Sequence, residues 1–320
     1  MILITGATGF VGDALVRRLR ADDVTRRVVV AVRRGGLSWP DGVLPCQVGD
    51  LTPSTDWTNA LNGVSAVVHC AARVHVMRDT SADPLEEFRR INVQGTLNLA
   101  RQAAVAGVRR FVFVSSIKVN GEATQPGRPF KADGVLAPLD AYGVSKMEAE
   151  QGLREIGQQT GMEVVIIRPP LVYGPGVKAN FAAMMRWLQR GVPLPLGAIR
   201  NQRSLVALDN LVDLIVTCLT HPAAANQTFL VSDGEDLSTT QLLQRMGQAL
   251  GRPARLVPVS PALLKLVAAL VGKPAVAQRL CGSLQVDISK TRQLLGWVPP
   301  LSVDEGLKSA AEGYLREASV

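Results

Sequence analysis

The chain has 320 residues, 47% of them hydrophobic and 19% charged, which supports a large folded core and excludes a disordered chain. Its net charge of +8 comes from basic residues spread without interleaved aromatics, which argues against nucleic acid and for an anionic small molecule. No metal is expected: Cys46, Cys70, Cys218 and Cys281 lack C-x-x-C spacing, and His69, His75 and His221 form no ligand pattern.

Residues 1–5 read as a short apolar strand running into Gly6-Ala7-Thr8-Gly9-Phe10-Val11-Gly12, which opens an amphipathic helix through Ala14, Leu15, Val16 and Leu19. In that setting Gly6 permits a tight turn, Gly9 lets backbone amides approach a pyrophosphate, and Gly12 lets the helix pack on the strand. The apolar run is too short and too soon broken for a signal peptide, so a cytoplasmic protein is expected.

Residues 28–32, 66–69, 111–115 and 164–167 are continuous apolar runs suited to parallel strands buried on both faces. Helical stretches separate them, so residues 1–169 are expected to form an α/β domain with a doubly wound, parallel Rossmann-type sheet. Ligands of such sheets bind beyond the carboxyl ends of the strands, where the glycine turn, Arg33-Arg34, Asp50-Leu51, Cys70-Ala71-Ala72 and Ser115-Ser116 fall. Asp50 also suits a turn or helix cap. Tyr142 and Lys146 are four residues apart on a helix, placing a phenol beside an ammonium that should lower the phenol's pKa from about 10.

After Arg168 the texture turns to Pro, Gly and short apolar segments, marking a smaller α/β, mainly substrate-binding domain over 170–320, from which a segment near 203–222 is expected to return to the first domain. Residues 240–250 and 287–297 look helical. The apolar stretch 263–271 is far shorter than the roughly 20 residues that span a bilayer. Flanked by Lys265 and Lys273, it reads as a core or interface helix, with a membrane-surface helix as the alternative. Trp39, Trp57, Trp187 and Trp297 read as packing residues.

Five motifs occur in order: Thr5 to Gly12, Asn92-Val93-Gln94-Gly95-Thr96, Ser115-Ser116-Ile117-Lys118-Val119-Asn120-Gly121, Tyr142-Gly143-Val144-Ser145-Lys146, and Arg168-Pro169-Pro170-Leu171-Val172-Tyr173-Gly174-Pro175. Together the chain resembles, over nearly its whole length, the extended short-chain dehydrogenase/reductase family of nucleotide-sugar epimerases, 4,6-dehydratases and 4-reductases. The resemblance implies a catalytic trio of Ser116, Tyr142 and Lys146, with Ser115 as the alternative serine. Tyr142 would exchange a proton with the substrate oxygen, Lys146 would hold the nicotinamide ribose, and Ser116 would bond the same oxygen. The charge that builds on a carbonyl oxygen during reduction needs such a donor.

The resemblance also implies that Gly6, Gly9, Phe10, Val11, Gly12, Ala71, Ala72, Arg73 and Pro170 line the cofactor. Asp50-Leu51 would meet adenine, and Asn92 would contact the riboses or serve helix packing. NAD-preferring members carry an Asp after the second strand, whereas this chain has Arg33-Arg34, a pair suited to a 2′-phosphate. NADP(H) is therefore expected to be preferred, with NAD(H) possible.

In sugar-nucleotide 4,6-dehydratases an acid and a base follow the catalytic serine or threonine; here Ile117 and Lys118 stand there, which disfavours dehydration. The serine and Pro-Pro-Leu motifs resemble bacterial O-antigen enzymes that reduce the C4 ketone of UDP-2-acetamido-2,6-dideoxy-4-hexulose. The resemblance thus implies a UDP-sugar substrate contacted by Ser116, Asn180, Arg203 and, as a second phosphate candidate, Arg279. Lys118 would approach the sugar or add positive potential. Asn180 could instead cap the helix it precedes, and Arg203 could instead pair with Asp209. A UDP-hexose 4-epimerase holding NAD is the alternative enzyme, a non-catalytic nicotinamide-binding regulator the alternative class. The family also implies a homodimer through paired helices that include the one bearing Tyr142.

Overall fold

The computed structural model describes residues 1–74, 83–125 and 127–318, so His75 lies outside the described residues. The described residues form ten strands: β1 (Ile2–Thr5), β2 (Val28–Val32), β3 (Val43–Gln47), β4 (Ala66–His69), β5 (Arg110–Val114), β6 (Glu163–Arg168), β7 (Leu171–Tyr173), β8 (Arg203–Ala207), β9 (Thr228–Leu230) and β10 (Asp236–Leu237). Seven form one parallel sheet in the order β3-β2-β1-β4-β5-β6-β9. The chain winds outward from β1 to β3, then crosses to β4 and winds the other way. The strand order therefore reverses between β1 and β4, where the carboxyl ends open a crevice.

Alternate side chains of each strand feed two cores, because successive Cβ atoms point to opposite faces. Ile4, Val112 and Val114 join Leu15, Leu19, Leu211 and Ile215 of helices Phe10–Asp22 and Leu208–Thr220 on one face. Leu3, Phe111 and Phe113 join Leu99, Ala103, Ala149 and Leu153 of helices Thr96–Val105 and Ala141–Thr160 on the other. Two-sided burial is why these strands read as continuous apolar runs.

The edge strand β3 has no such signature. Its sequence VLPCQ is largely exposed, and its Pro45 is tolerated because the strand is an edge. The three-residue β9 is too short to stand out.

A second, three-stranded sheet, β10-β8-β7, carries a third core in which Tyr173, Phe181, Leu243 and Leu307 meet. The helix-like runs become helices Thr239–Ala249 and Ser289–Leu295. Residues 263–270 lie in helix Pro261–Leu270 and Val271 follows it; none of the helix is buried, with Leu264 partly buried against the third core, so of the expected roles a core helix is not found. Apolar periodicity alone cannot distinguish a buried helix from an exposed one.

Candidate active site

The glycine turn is held by close approach. Gly6 has φ +69, and a Cβ there would meet the Ala71 nitrogen at 2.7 Å; a Cβ on Gly12 would run into the Gly6 carbonyl. Helix Phe10–Asp22 has Gly9 as its N-cap and no side-chain cap, so the first-turn amides, from Phe10, Val11 and Gly12, are left for an anion. These residues fit a nucleotide diphosphate.

Beneath the turn, His69 Nδ1 is 2.7 Å from Thr5 Oγ1 and its Nε2 is 2.9 Å from Thr96 Oγ1. Burial, assisted by the Lys146 charge, pushes the His69 pKa down to about 3, so the ring is a neutral brace between β1, β4 and the Thr96–Val105 helix. The Thr5 hydroxyl also accepts the Ala71 N–H at 3.3 Å, which fixes the segment containing Ala71 and Ala72 against the turn. Burial raises the neighbouring Cys70 thiol to about 12, leaving it protonated at neutral pH.

At the end of β5, the Ser115 N–H bonds the Ile167 carbonyl at 2.7 Å and the Ile117 N–H bonds Pro169 at 3.0 Å. Pro170, next along, is buried. Ser115 donates its hydroxyl to Glu150 at 2.6 Å, and Glu150 is clamped by Arg168 at 2.8 and 2.5 Å. All three are buried. Ser116 is partly exposed, and its Oγ accepts the Lys118 N–H at 3.3 Å.

Asp140 starts helix Ala141–Thr160 by accepting the Gly143 N–H at 2.7 Å, and Gly161, with φ +77, ends it. Tyr142 therefore sits in the first turn. A Cβ on Gly143 would lie 2.9 Å from the Lys118 carbonyl, which places this helix start directly on the turn after Ser116. Lys146 is buried, donates to the Val114 carbonyl at 2.9 Å and lies 4.3 Å from the centre of the Phe113 ring.

The expected lowering of the Tyr142 pKa is not found. Desolvation, then the Asp140 carboxylate, raises it above the usual phenol value. The Lys146 ammonium is 6.0 Å from the Tyr142 ring centre, and burial lowers its own pKa to about 8. Tyr142 is thus held as the neutral phenol in the protein alone.

Asn92 lies in the π-helical turn Arg89–Gly95 and is fully engaged internally. It accepts the Arg73 N–H at 2.7 Å and donates to the Arg73 carbonyl and the Ser145 hydroxyl, each at 3.0 Å. It therefore fastens the strand-end segment to the Tyr142 helix. Arg73 lies 5.6 Å from the Phe88 ring centre, and Phe88 meets Tyr142 edge to face at 6.2 Å. Neither Phe88, Glu150 nor the Thr5–His69–Thr96 brace carried a sequence signal, since each partner is distant in the chain.

Other expected residues lie further out. Arg33 and Arg34 are exposed after β2 with no hydrogen bond or ion pair among the described residues. Asp50 is exposed, and its carbonyl takes the Thr55 hydroxyl at 2.6 Å; Leu51 packs on Gly95. Lys118 pairs with Asp140 and lies 3.4 Å from Glu122. Asn180 is exposed within the first turn of helix Ala179–Gln189, whose N-cap is Lys178, so Asn180 does not cap it. Arg203, at the start of β8, donates to the Arg279 and Gly282 carbonyls at 3.0 Å each, rather than pairing with Asp209. Those carbonyls close helix Pro274–Cys281, where a cation is favoured. The structure thus brings Arg203 and Arg279 together. Trp187 departs from a purely packing role, being 46% exposed.

Residues 2–232 match the model of the NAD dependent epimerase/dehydratase family. The chain belongs to that family. This epimerase/dehydratase-family chain is 51% identical over 318 residues to a UDP-glucose 4-epimerase of Vibrio cholerae, covering 98% of its own length and 95% of the relative. It is 28% identical to the N-acetyl-alpha-D-glucosaminyl-diphospho-ditrans,octacis-undecaprenol 4-epimerase of Escherichia coli O157:H7, covering 96% and 92%. Among solved structures, it aligns with MoeE5 in complex with UDP-glucuronic acid and NAD at 26% identity and TM-score 0.76, covering 99% of both chains. Among the described residues of this family member, no helix is long and apolar enough to cross a membrane.

Proposed function

We propose that the protein is a nicotinamide-dependent oxidoreductase acting at C4 of a UDP-linked sugar, and that it reduces the C4 ketone of a UDP-4-keto-6-deoxy-N-acetylhexosamine for surface polysaccharide synthesis. The observation that carries this reading is Tyr142. It stands in the first turn of its helix against the turn after Ser116, and burial with the Asp140 charge keeps its phenol protonated, so it has a proton to give.

When bound, the nicotinamide supplies the hydride. Tyr142 then gives its proton to the developing oxyanion. Ser116 steadies the same oxygen by hydrogen bonding. The donation of the Ser115 hydroxyl to Glu150 supports Ser116 over Ser115 in that part. Lys146, anchored on the Val114 carbonyl, retains donors for the cofactor ribose. The amides of the glycine turn take the pyrophosphate, with Ala71, Ala72 and Pro170 along the crevice and Asp50-Leu51 toward the adenine. Arg203, joined to Arg279, and Asn180 serve the substrate diphosphate. Ile117 and Lys118 stand where dehydration needs an acid and a base, which speaks against that reaction.

We further infer that NADP(H) is accepted. Among the described residues the Arg33 and Arg34 guanidiniums make no hydrogen bond or ion pair, and the two positions after β2 hold arginines in place of a carboxylate that would receive ribose hydroxyls. An exchangeable reduced cofactor suits a reductase. A second reading, UDP-hexose 4-epimerisation with retained NAD, is favoured by the 51% identical relative. The test is incubation with the UDP-4-keto-6-deoxy-N-acetylhexosamine and NADPH, and in parallel with UDP-hexoses, following absorbance and product ring-proton couplings. Stoichiometric NADPH loss supports reduction; interconversion of UDP-hexoses without consumption of added cofactor supports epimerisation and overturns it.

A further inference from the structure

The Pro261–Leu270 and Pro274–Cys281 helices pack as a hairpin on the outer side of the second lobe. Leu263, Leu266, Leu270 and Val271 are 49%, 57%, 79% and 63% exposed, far more apolar surface than a helix shows when its apolar stripe faces a core. Between the hairpin and the segment around Trp187 and Val192 runs an apolar groove of about 380 Å³.

Charge says what covers this face. Residues 164–208 and 237–286, the segments that supply all of it, contain no Asp or Glu. Their exposed cations include Arg186, Arg190, Arg252, Arg255, Lys265 and Lys273. A second copy is a poor occupant, because a two-fold interface would bring the same basic, acid-free patch against itself. A protruding apolar ridge, an exposed tryptophan and a surrounding of cations instead match an anionic bilayer surface. Apolar side chains would enter the headgroup boundary while lysine stems extend toward phosphate. Neither helix is long enough to span.

We propose that the apolar side of this hairpin, carried by Leu263, Leu266, Leu270 and Val271, is a peripheral docking surface for anionic membrane lipid. The reading is independent of which C4 reaction the protein performs.

The test is co-sedimentation of the full chain with vesicles of phosphatidylcholine and phosphatidylglycerol, or of phosphatidylcholine alone. The anionic vesicles should bind at least about tenfold more protein, and 1 M salt should release it. Leu266→Ser/Leu270→Ser should weaken binding by about tenfold or more, and Lys265→Gln/Lys273→Gln by about fivefold per lysine. These side chains are exposed, so both variants should retain the wild-type melting temperature and nicotinamide binding. Wild-type protein left in solution with both vesicles, or bound equally to both, overturns the proposal. So does a leucine variant that binds vesicles normally but changes assembly state in sedimentation velocity, since a second copy would then be the occupant.

Discussion

The two lobes solve the problem of charge in opposite ways. In the parallel-sheet lobe, charged groups near the crevice are taken inside and matched: Arg168 meets Glu150, and the Lys146 ammonium rests on a carbonyl and an aromatic face. In the second lobe the cations around the 261–281 hairpin stay outside, beside apolar side chains that also stay outside. Buried, matched charge fixes geometry at the cost of desolvation. Exposed, unmatched charge leaves a surface ready for something else. The first arrangement suits proton transfer, the second attachment.

The largest effect expected on the first lobe comes from Tyr142→Phe. Turnover should fall by about 10² to 10⁴, with cofactor binding and melting temperature little changed. Retained steady-state activity would sink the proton-donor role. Next is Glu150→Ala, which strands Arg168 as a buried cation and frees Ser115; a loss of about 3–5 kcal/mol is expected in urea unfolding. A loss below about 1 kcal/mol would show that the lobe does not depend on matched buried charge.

Acid sensitivity sharpens the same contrast. The His69 pKa is about 3 in the folded protein against 6.5 unfolded, so the unfolded chain binds the extra proton first. Stability due to this group is complete above pH 6.5 and lost as pH falls toward 3. Unfolding free energies measured across that window should fall less steeply for His69→Gln. The smallest effect belongs to the periphery: Arg33→Ala should raise the Michaelis constant for NADPH about tenfold and for NADH by less than twofold. Equal changes for both cofactors would remove Arg33 from phosphate recognition.

What sequence could reveal follows the distance over which it acts. The glycine turn, the Tyr142–Lys146 spacing and the apolar strands were legible because each is a local pattern with a period set by the backbone. The edge strand β3 was hidden by exposure and Pro45, and the upward shift of Tyr142 by burial that no spacing records.

By itself, then, the chain determined a doubly wound parallel sheet, a phosphate-ready turn, and a phenol and an ammonium on one helix. Only tertiary structure decided that Ser115 is spent on Glu150, that Asn92 fastens Arg73 to Ser145, and that His69 braces two hydroxyls. The same holds for the apolar run at 261–270, which lies outside the core. The reason is common to all four: a residue's type and periodicity state what it can bond or bury, while folding decides which distant partner, if any, arrives to meet it.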